Sequence, residues 1–285
     1  MRIQVLPFGL LKDWLGASAA AIELPEGATV ADMLARLSES RPAGLLRGIA
    51  VSVNTEYATA ACLLHEGDEV GLLPPVSGGS DKTERLATSA AGSSAAGSAE
   101  GVFAPVVVTG LTREPIDAQK LIAEAKRGDD GALVVFDGIV RNQTRGRQTL
   151  YLDYEAYEEM AVKQLDGLAR EACSRFGVRQ VSMVHRLGRL EICETSILIV
   201  VASAHRAAAF EACRWLIDTI KKTVPVWKKE TFQDGAVWAD GEPFPDELAV
   251  NAAETARSSQ RHRKCHFSLR RQKPTRASCA IFHLR

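Results

Sequence analysis

The chain has 285 residues, with 35 Lys/Arg matched by 35 Asp/Glu, 46% apolar residues and 6% aromatics. That length fits two modest domains, and the composition is that of a globular chain, not a disordered one. Zero formal net charge gives no whole-chain argument for nucleic acid or membrane binding.

In chain order, residues 3–6 form a predicted strand and 21–24 a second, ended by Pro25-Glu-Gly27. Thr29 is placed as an N-cap with Asp32 three residues on. Val30, Met33, Leu34 and Leu37 repeat at helical spacing, so 30–39 is a predicted amphipathic helix. Residues 49–53 alternate as a strand, Gly67-Asp68 turns the chain, and 69–73 is a last strand that Pro74-Pro75 stops. Residues 1–79 therefore read as a small α+β roll. Residues 80–104 read as a flexible linker, because 13 of the 21 positions 80–100 are Ala, Ser or Gly and no apolar period survives.

The second unit, again α+β, is expected over 105–250. Residues 106–108 open it, 116–127 form a short helix, and 132–136 a buried strand leading to Arg141. Ala161, Leu165, Leu168, Ala172 and Phe176 mark a long helix, and 178–185 and 196–202 are strands. Ser203 is expected to cap a second long helix with the stripe Phe210, Cys213, Ile217 and Ile220. Residues 251–285 hold nine Lys/Arg against one acid, Glu254, and are expected to be a disordered tail.

The six cysteines are scattered, with no CxxC, which points to a reducing, cytoplasmic compartment. The longest apolar run, 197–202, is far too short for a membrane span. Residues 6–21 faintly resemble a signal peptide, but Lys12 and Asp13 interrupt the apolar stretch. In the tail, His262, Cys265, His266, Cys279 and His283 lack the paired spacing of a zinc site, so no metal is expected.

Four features could carry chemistry. The first unit ends in Gly78-Gly79, which is either a loop or a tail slim enough to thread a narrow channel. Ser203-Ala-His205-Arg206 follows a buried strand: a plain cap with a solvated Arg, or a helix-end anion site. Lys221, four residues after Ile217, continues an apolar stripe and is a candidate for a lowered pKa and proton transfer. Lys228 follows Trp227, whose ring could wall a pocket. Arg141 ends a strand, either solvated or placed for phosphate or carboxylate. His205 and Lys221 lie about 24 Å apart on one helix at 1.5 Å per residue. If all these groups serve one pocket, two copies must build it, so a homodimer through the second unit is expected.

The pieces together resemble a family pair. Residues 1–79, through Val51-Ser-Val-Asn54 and Gly67-Asp-Glu-Val-Gly-Leu-Leu-Pro-Pro-Val-Ser-Gly-Gly79, resemble the small, MoaD-like sulfur-carrier subunit of molybdopterin synthase. Val135-Phe-Asp-Gly-Ile-Val-Arg-Asn142, Val184-His-Arg-Leu-Gly188, Ala202-Ser-Ala-His-Arg206 and Val224-Pro-Val-Trp-Lys-Lys-Glu230 resemble its large, MoaE-like catalytic subunit. The resemblance implies a ubiquitin-like β-grasp followed by an α/β hammerhead domain, with the pocket at a dimer interface. It implies sulfur transfer from a carrier thiocarboxylate to cyclic pyranopterin monophosphate, forming a dithiolene, with no further cofactor. It implies catalysis by Lys221 and Lys228, and substrate binding by Arg141, His205 and Arg206. An adenylating and sulfurating enzyme is implied as partner.

One departure matters. Gly79 is followed by Ser80, and an internal glycine amide cannot be adenylated, so a protease is expected to cut after Gly79. Two alternatives stand beside the synthase: an uncleaved regulatory fusion whose first unit plugs the second, and a carrier serving another thiolation pathway.

Overall fold

The computed structural model describes residues 1–39, 46, 48–76, 105–239, 241, 244–245 and 247–250. The Gly78-Gly79 terminus, the linker 80–104 and the basic tail 251–285 lie outside the described residues.

The first unit comprises β1 (Arg2–Pro7), α1 (Leu11–Leu15), β2 (Ala20–Glu23), α2 (Val30–Ser38), β3 (Ile49–Val53), β4 (Glu56–Ala58) and β5 (Glu69–Leu73). Strand β1 pairs antiparallel with β2 and parallel with β5, and β5 pairs antiparallel with β3. Helix α2 buries Val30, Met33 and Leu34 against this mixed sheet, the arrangement of a β-grasp. Its start is fixed as the sequence predicts: Thr29 accepts from the Asp32 amide, and the Asp32 carboxylate accepts from the Thr29 amide. Helix α1 was not foreseen; it occupies the stretch with a signal-peptide outline.

The second unit comprises β6 (Val106–Thr112), α3 (Ala118–Ala125), β7 (Ala132–Ile139), β8 (Gln143–Thr144), β9 (Arg147–Ala156), α4 (Glu158–Phe176), β10 (Gln180–Arg186), β11 (Gly188–Glu191), β12 (Thr195–Ser203), α5 (Arg206–Thr223), β13 (Val226–Phe232), β14 (Gly235–Trp238) and β15 (Ala249–Val250). One sheet runs β6-β10-β12-β7; the other runs β11-β9-β13-β14, with β8 on β9. The apolar run of β12 is buried on both faces: Ile197, Ile199 and Val201 join the α4/α5 core, while Leu198 and Val200 pack against α3. Helix α4 ends at Gly177, which takes the left-handed conformation (φ 65°) that a side chain would disfavour.

Three expectations are corrected. Ser203 is the last residue of β12, paired with Ala132, so it cannot cap α5; His205 is the N-cap, and its side chain makes no capping bond. Phe210 is 61% exposed, and the buried face of α5 runs through Ala209, Ala212, Cys213, Leu216, Ile217 and Ile220. The small residues Ala209, Ala212 and Cys213 hold the first part of that face, in the core that α5 shares with α4. Strand β7 is not buried throughout: it is an edge strand that exposes Val135 and Ile139.

The two units meet across a third apolar cluster. Ala50, Leu73 and Val76 come from the first unit, and Tyr157, Met160, Trp227 and Phe244 from the second. Phe8 stacks on both Tyr157 and Trp227, with ring centroids 4.7 and 5.3 Å apart. Polar bonds ring the cluster. The Tyr57 hydroxyl donates to the Thr223 carbonyl, Lys12 pairs with Glu155, and the Tyr157 hydroxyl donates to Glu69. Among the described residues no helix is long and apolar enough to cross a membrane, and Cys62, Cys173, Cys193 and Cys213 form no disulfide.

Candidate functional site

A cavity of about 330 Å³ opens between the two sheets of the second unit and the C-terminal end of α5. Strands β9 and β13 supply one wall. Their register sets Lys228 opposite Tyr154, and alternation along β13 turns Lys228 and Glu230 inward. Strands β7, β10 and β12 supply the other wall, with Gly138, His185 and Ser196. Lys221, on the last turn of α5, and Arg141, just past β7, complete the rim.

The wall carries organised polar groups. Lys228 Nζ lies 3.2 Å from Glu230 Oε1, and Glu230 is only 5% exposed, so a buried carboxylate is held beside the ammonium. Ser196 donates to the Gly138 carbonyl at 2.7 Å and also bonds the Tyr154 hydroxyl, whose pKa burial raises. His185 packs edge-on to Tyr154, with centroids 5.2 Å apart. Its Nδ1 lies 2.9 Å from the Arg186 carbonyl oxygen. A carbonyl only accepts, so Nδ1 carries the proton and Nε2 presents a lone pair. Burial lowers the His185 pKa to about 4, which keeps the ring neutral near pH 7.

The structure therefore brings Arg141, Lys221 and Lys228 to one cavity. His205 and Arg206 are not there; both are exposed at the opposite end of α5, about 24 Å away by helical rise. Trp227 does not wall the cavity. It faces the other side of β13, is 2% exposed, and donates from Nε1 to the Pro74 carbonyl at 3.0 Å. Sequence reasoning missed His185, Tyr154, Ser196 and Glu230 as site residues. The signals available were that His185 and Glu230 each lie within a motif used for the family resemblance. Burial raises the thiol pKa of Cys173 and pushes that of Cys213 up to about 11, so neither is a ready nucleophile. Among the described residues no cluster of His, Cys, Asp and Glu is suited to hold a metal ion.

A β-grasp unit with its C-terminal strand docked on an α/β unit that holds a cationic cavity defines a two-module protein, and comparison with known proteins agrees. Residues 5–79 match the ThiS family and residues 111–223 the MoaE protein family. The molybdopterin synthase catalytic subunit of Pyrococcus abyssi (strain GE5 / Orsay) is 42% identical over 134 residues, 46% of this chain and 90% of that protein. That of Bacillus subtilis (strain 168) is 40% identical over 128 residues, covering 45% and 82%. Among solved structures, molybdopterin synthase from Staphylococcus aureus aligns with TM-score 0.44 at 41% identity, covering 45% of this chain and 94% of that one. SAMP1 from Haloferax volcanii aligns with TM-score 0.26 at 29% identity, covering 28% and 100%. The chain belongs to the molybdopterin synthase catalytic subunit family, enzymes of molybdenum cofactor biosynthesis, with a ThiS-family unit fused in front.

Proposed function

We propose that the chain is a cytoplasmic molybdopterin synthase that carries its own sulfur donor. Sulfur leaves a thiocarboxylate at Gly79 and replaces oxygen on cyclic pyranopterin monophosphate in the cavity, while the carrier end returns as a carboxylate. Two rounds build the dithiolene. No resident metal or further cofactor enters this scheme. In it Lys221 and Lys228 are the catalytic groups that move protons and hold developing charge, and Arg141 binds the anionic substrate.

The observation that carries the reading is the position of the carrier's last strand. Trp227 holds the Pro74 carbonyl on one face of β13, and the next residue, Lys228, turns into the cavity from the other face. Gly79 is three residues beyond Val76, a reach of about 10 Å in extended chain. The carrier's exit and the cavity therefore lie on the two faces of one strand, through the neighbouring residues Trp227 and Lys228. The free terminus must first be made. We place proteolysis after Gly79, followed by adenylation and thiolation by a separate enzyme. The test is mass spectrometry of the native protein, then incubation of the cut, thiolated form with pyranopterin. A fragment ending at Gly79 and dithiolene product are expected; an intact chain that makes product with no other carrier present would refute the cleavage step. No dithiolene from the thiolated fragment would refute the synthase reading and favour a regulatory fusion or a carrier for another thiolation pathway.

His205 and Arg206 enter the scheme from a second copy. Their distance from the cavity and the exposed Val135, Ile139 and Phe210 support a homodimer through the second unit. Complementation checks this. Lys221→Ala and Arg206→Ala chains should each be weak alone, whereas their mixture, after exchange, should recover about a quarter of wild-type activity, because half the dimers then hold one intact site. No recovery from a mixture shown to exchange would place both residues in one chain's site or outside it.

A further inference from the structure

The C-terminal stretch of the second unit does not end on that unit. After β14 the chain crosses to the first unit and adds β15 to its sheet, pairing Ala249 with Ala50 and Val250 with Ile49. The site it fills is a gap. Strand β3 gives one edge to β5, while β4 covers the other edge only at residues 51–53. Ile49 and Ala50 would otherwise present unpaired backbone groups, an open template for another strand.

Two anchors flank the pairing. Phe244 is 3% exposed and meets Tyr57 edge-on, at 6.0 Å between centroids. Val250 is 4% exposed and joins the first unit's own core beside Ile49. A turn with the Leu248 and Ala249 amides on the Pro245 carbonyl connects them. Upstream, Gly241 lies against the carrier's outgoing tail. A Cβ there would fall 2.1 Å from the Pro75 oxygen, so only glycine permits the approach. Pro74 and Pro75 are thus held between Trp227 and Gly241.

We infer that residues 241–250 are a carrier-recognition arm, whose partner is this chain's own ThiS-family unit once the linker has been cut. Recognition is by strand addition to the half-covered β3 edge, by the two apolar anchors and by the glycine contact on the tail. Cutting between residues 77 and 104 then leaves a non-covalent pair. The inference rests on the synthase reading in naming the front unit a sulfur carrier and in placing a cut behind it.

The test uses the full chain with a specific protease site substituted within residues 85–100, cut after purification. The dissociation constant of the nicked pair is read by sedimentation on dilution. The wild-type pair is expected to stay together at micromolar concentration. Phe244→Ala should weaken it about 10- to 100-fold, the loss of one buried aromatic anchor. Val250→Asp and Gly241→Ala should weaken it as well, and Val237→Asp, on exposed β14, should not. Hydrogen exchange on the uncut chains guards against misfolding: Phe244→Ala should speed exchange at residues 49–50 and leave α4 and β12 protected. A wild-type pair that separates at once, or arm variants within threefold of wild type, would overturn the inference. No sulfur chemistry is read, so its failure leaves the proposed reaction standing, and a failed reaction leaves the arm standing.

Discussion

Replacing Lys221 by Ala is expected to slow dithiolene formation about 10²- to 10⁴-fold, the range for removing a positioned acid–base group. Thermal unfolding should hardly move, because the half-buried Lys221 sits at a cavity rim on the last turn of α5. Lys228→Ala should cost as much activity and lower stability too. Its ammonium is 3.2 Å from a carboxylate that is almost wholly buried, and removing it strands the Glu230 charge. Breaking such a pair costs about 3–5 kcal/mol, while neutralising both partners restores much of that. The double change Lys228→Ala, Glu230→Gln should therefore recover stability and leave activity low. Single-turnover kinetics and urea unfolding of the four proteins separate the two roles. A Lys221→Ala rate within threefold of wild type would remove Lys221 from the chemistry.

The legible parts of this site were those that keep an ordinary period. Lys221 stood out because it continues the helical stripe of α5, and Arg141 because it follows a strand. The second sheet stayed hidden because its inward face is polar. On β13 Lys228 and Glu230 point to the cavity, while Trp227, which should mark the core side, is covered by the other unit. Inward polar and outward apolar residues invert the pattern that alternation normally reports. The helix start was misplaced for a related reason: β12 runs to Ser203, and pairing with Ala132 overrides the residue's capping preference. Phe210 misled because it keeps the spacing of Cys213, Ile217 and Ile220, whereas the buried face starts one residue earlier, at Ala209, and continues through Ala212. The docking surface is built from Phe8, Tyr57, Tyr157 and Trp227, lone aromatics far apart in the chain, and no local window joins them.

His185 gives the site a pH limit that is separate from its lysines. The native ring is buried, bonded through Nδ1 to a carbonyl, and protonates only near pH 4, against an ordinary value of 6.5. Above pH 6.5 the ring is neutral in both native and unfolded chains and contributes no pH dependence. As pH falls below 6.5 the unfolded chain takes up the proton first, so stability drops until the native ring also protonates near pH 4. By pH 4.5 this one group should remove about 2–3 kcal/mol. His185→Asn keeps a short polar side chain and removes the titration, so its urea stability should fall less steeply between pH 7 and 4.5. Carboxylates shift both proteins alike, and the difference between the two curves isolates the ring. The loss at low pH would open the wall shared by Tyr154 and Ser196, because a charged His185 demands water where Tyr154 now packs. Parallel curves for the two proteins would mean that His185 is solvated in the native state.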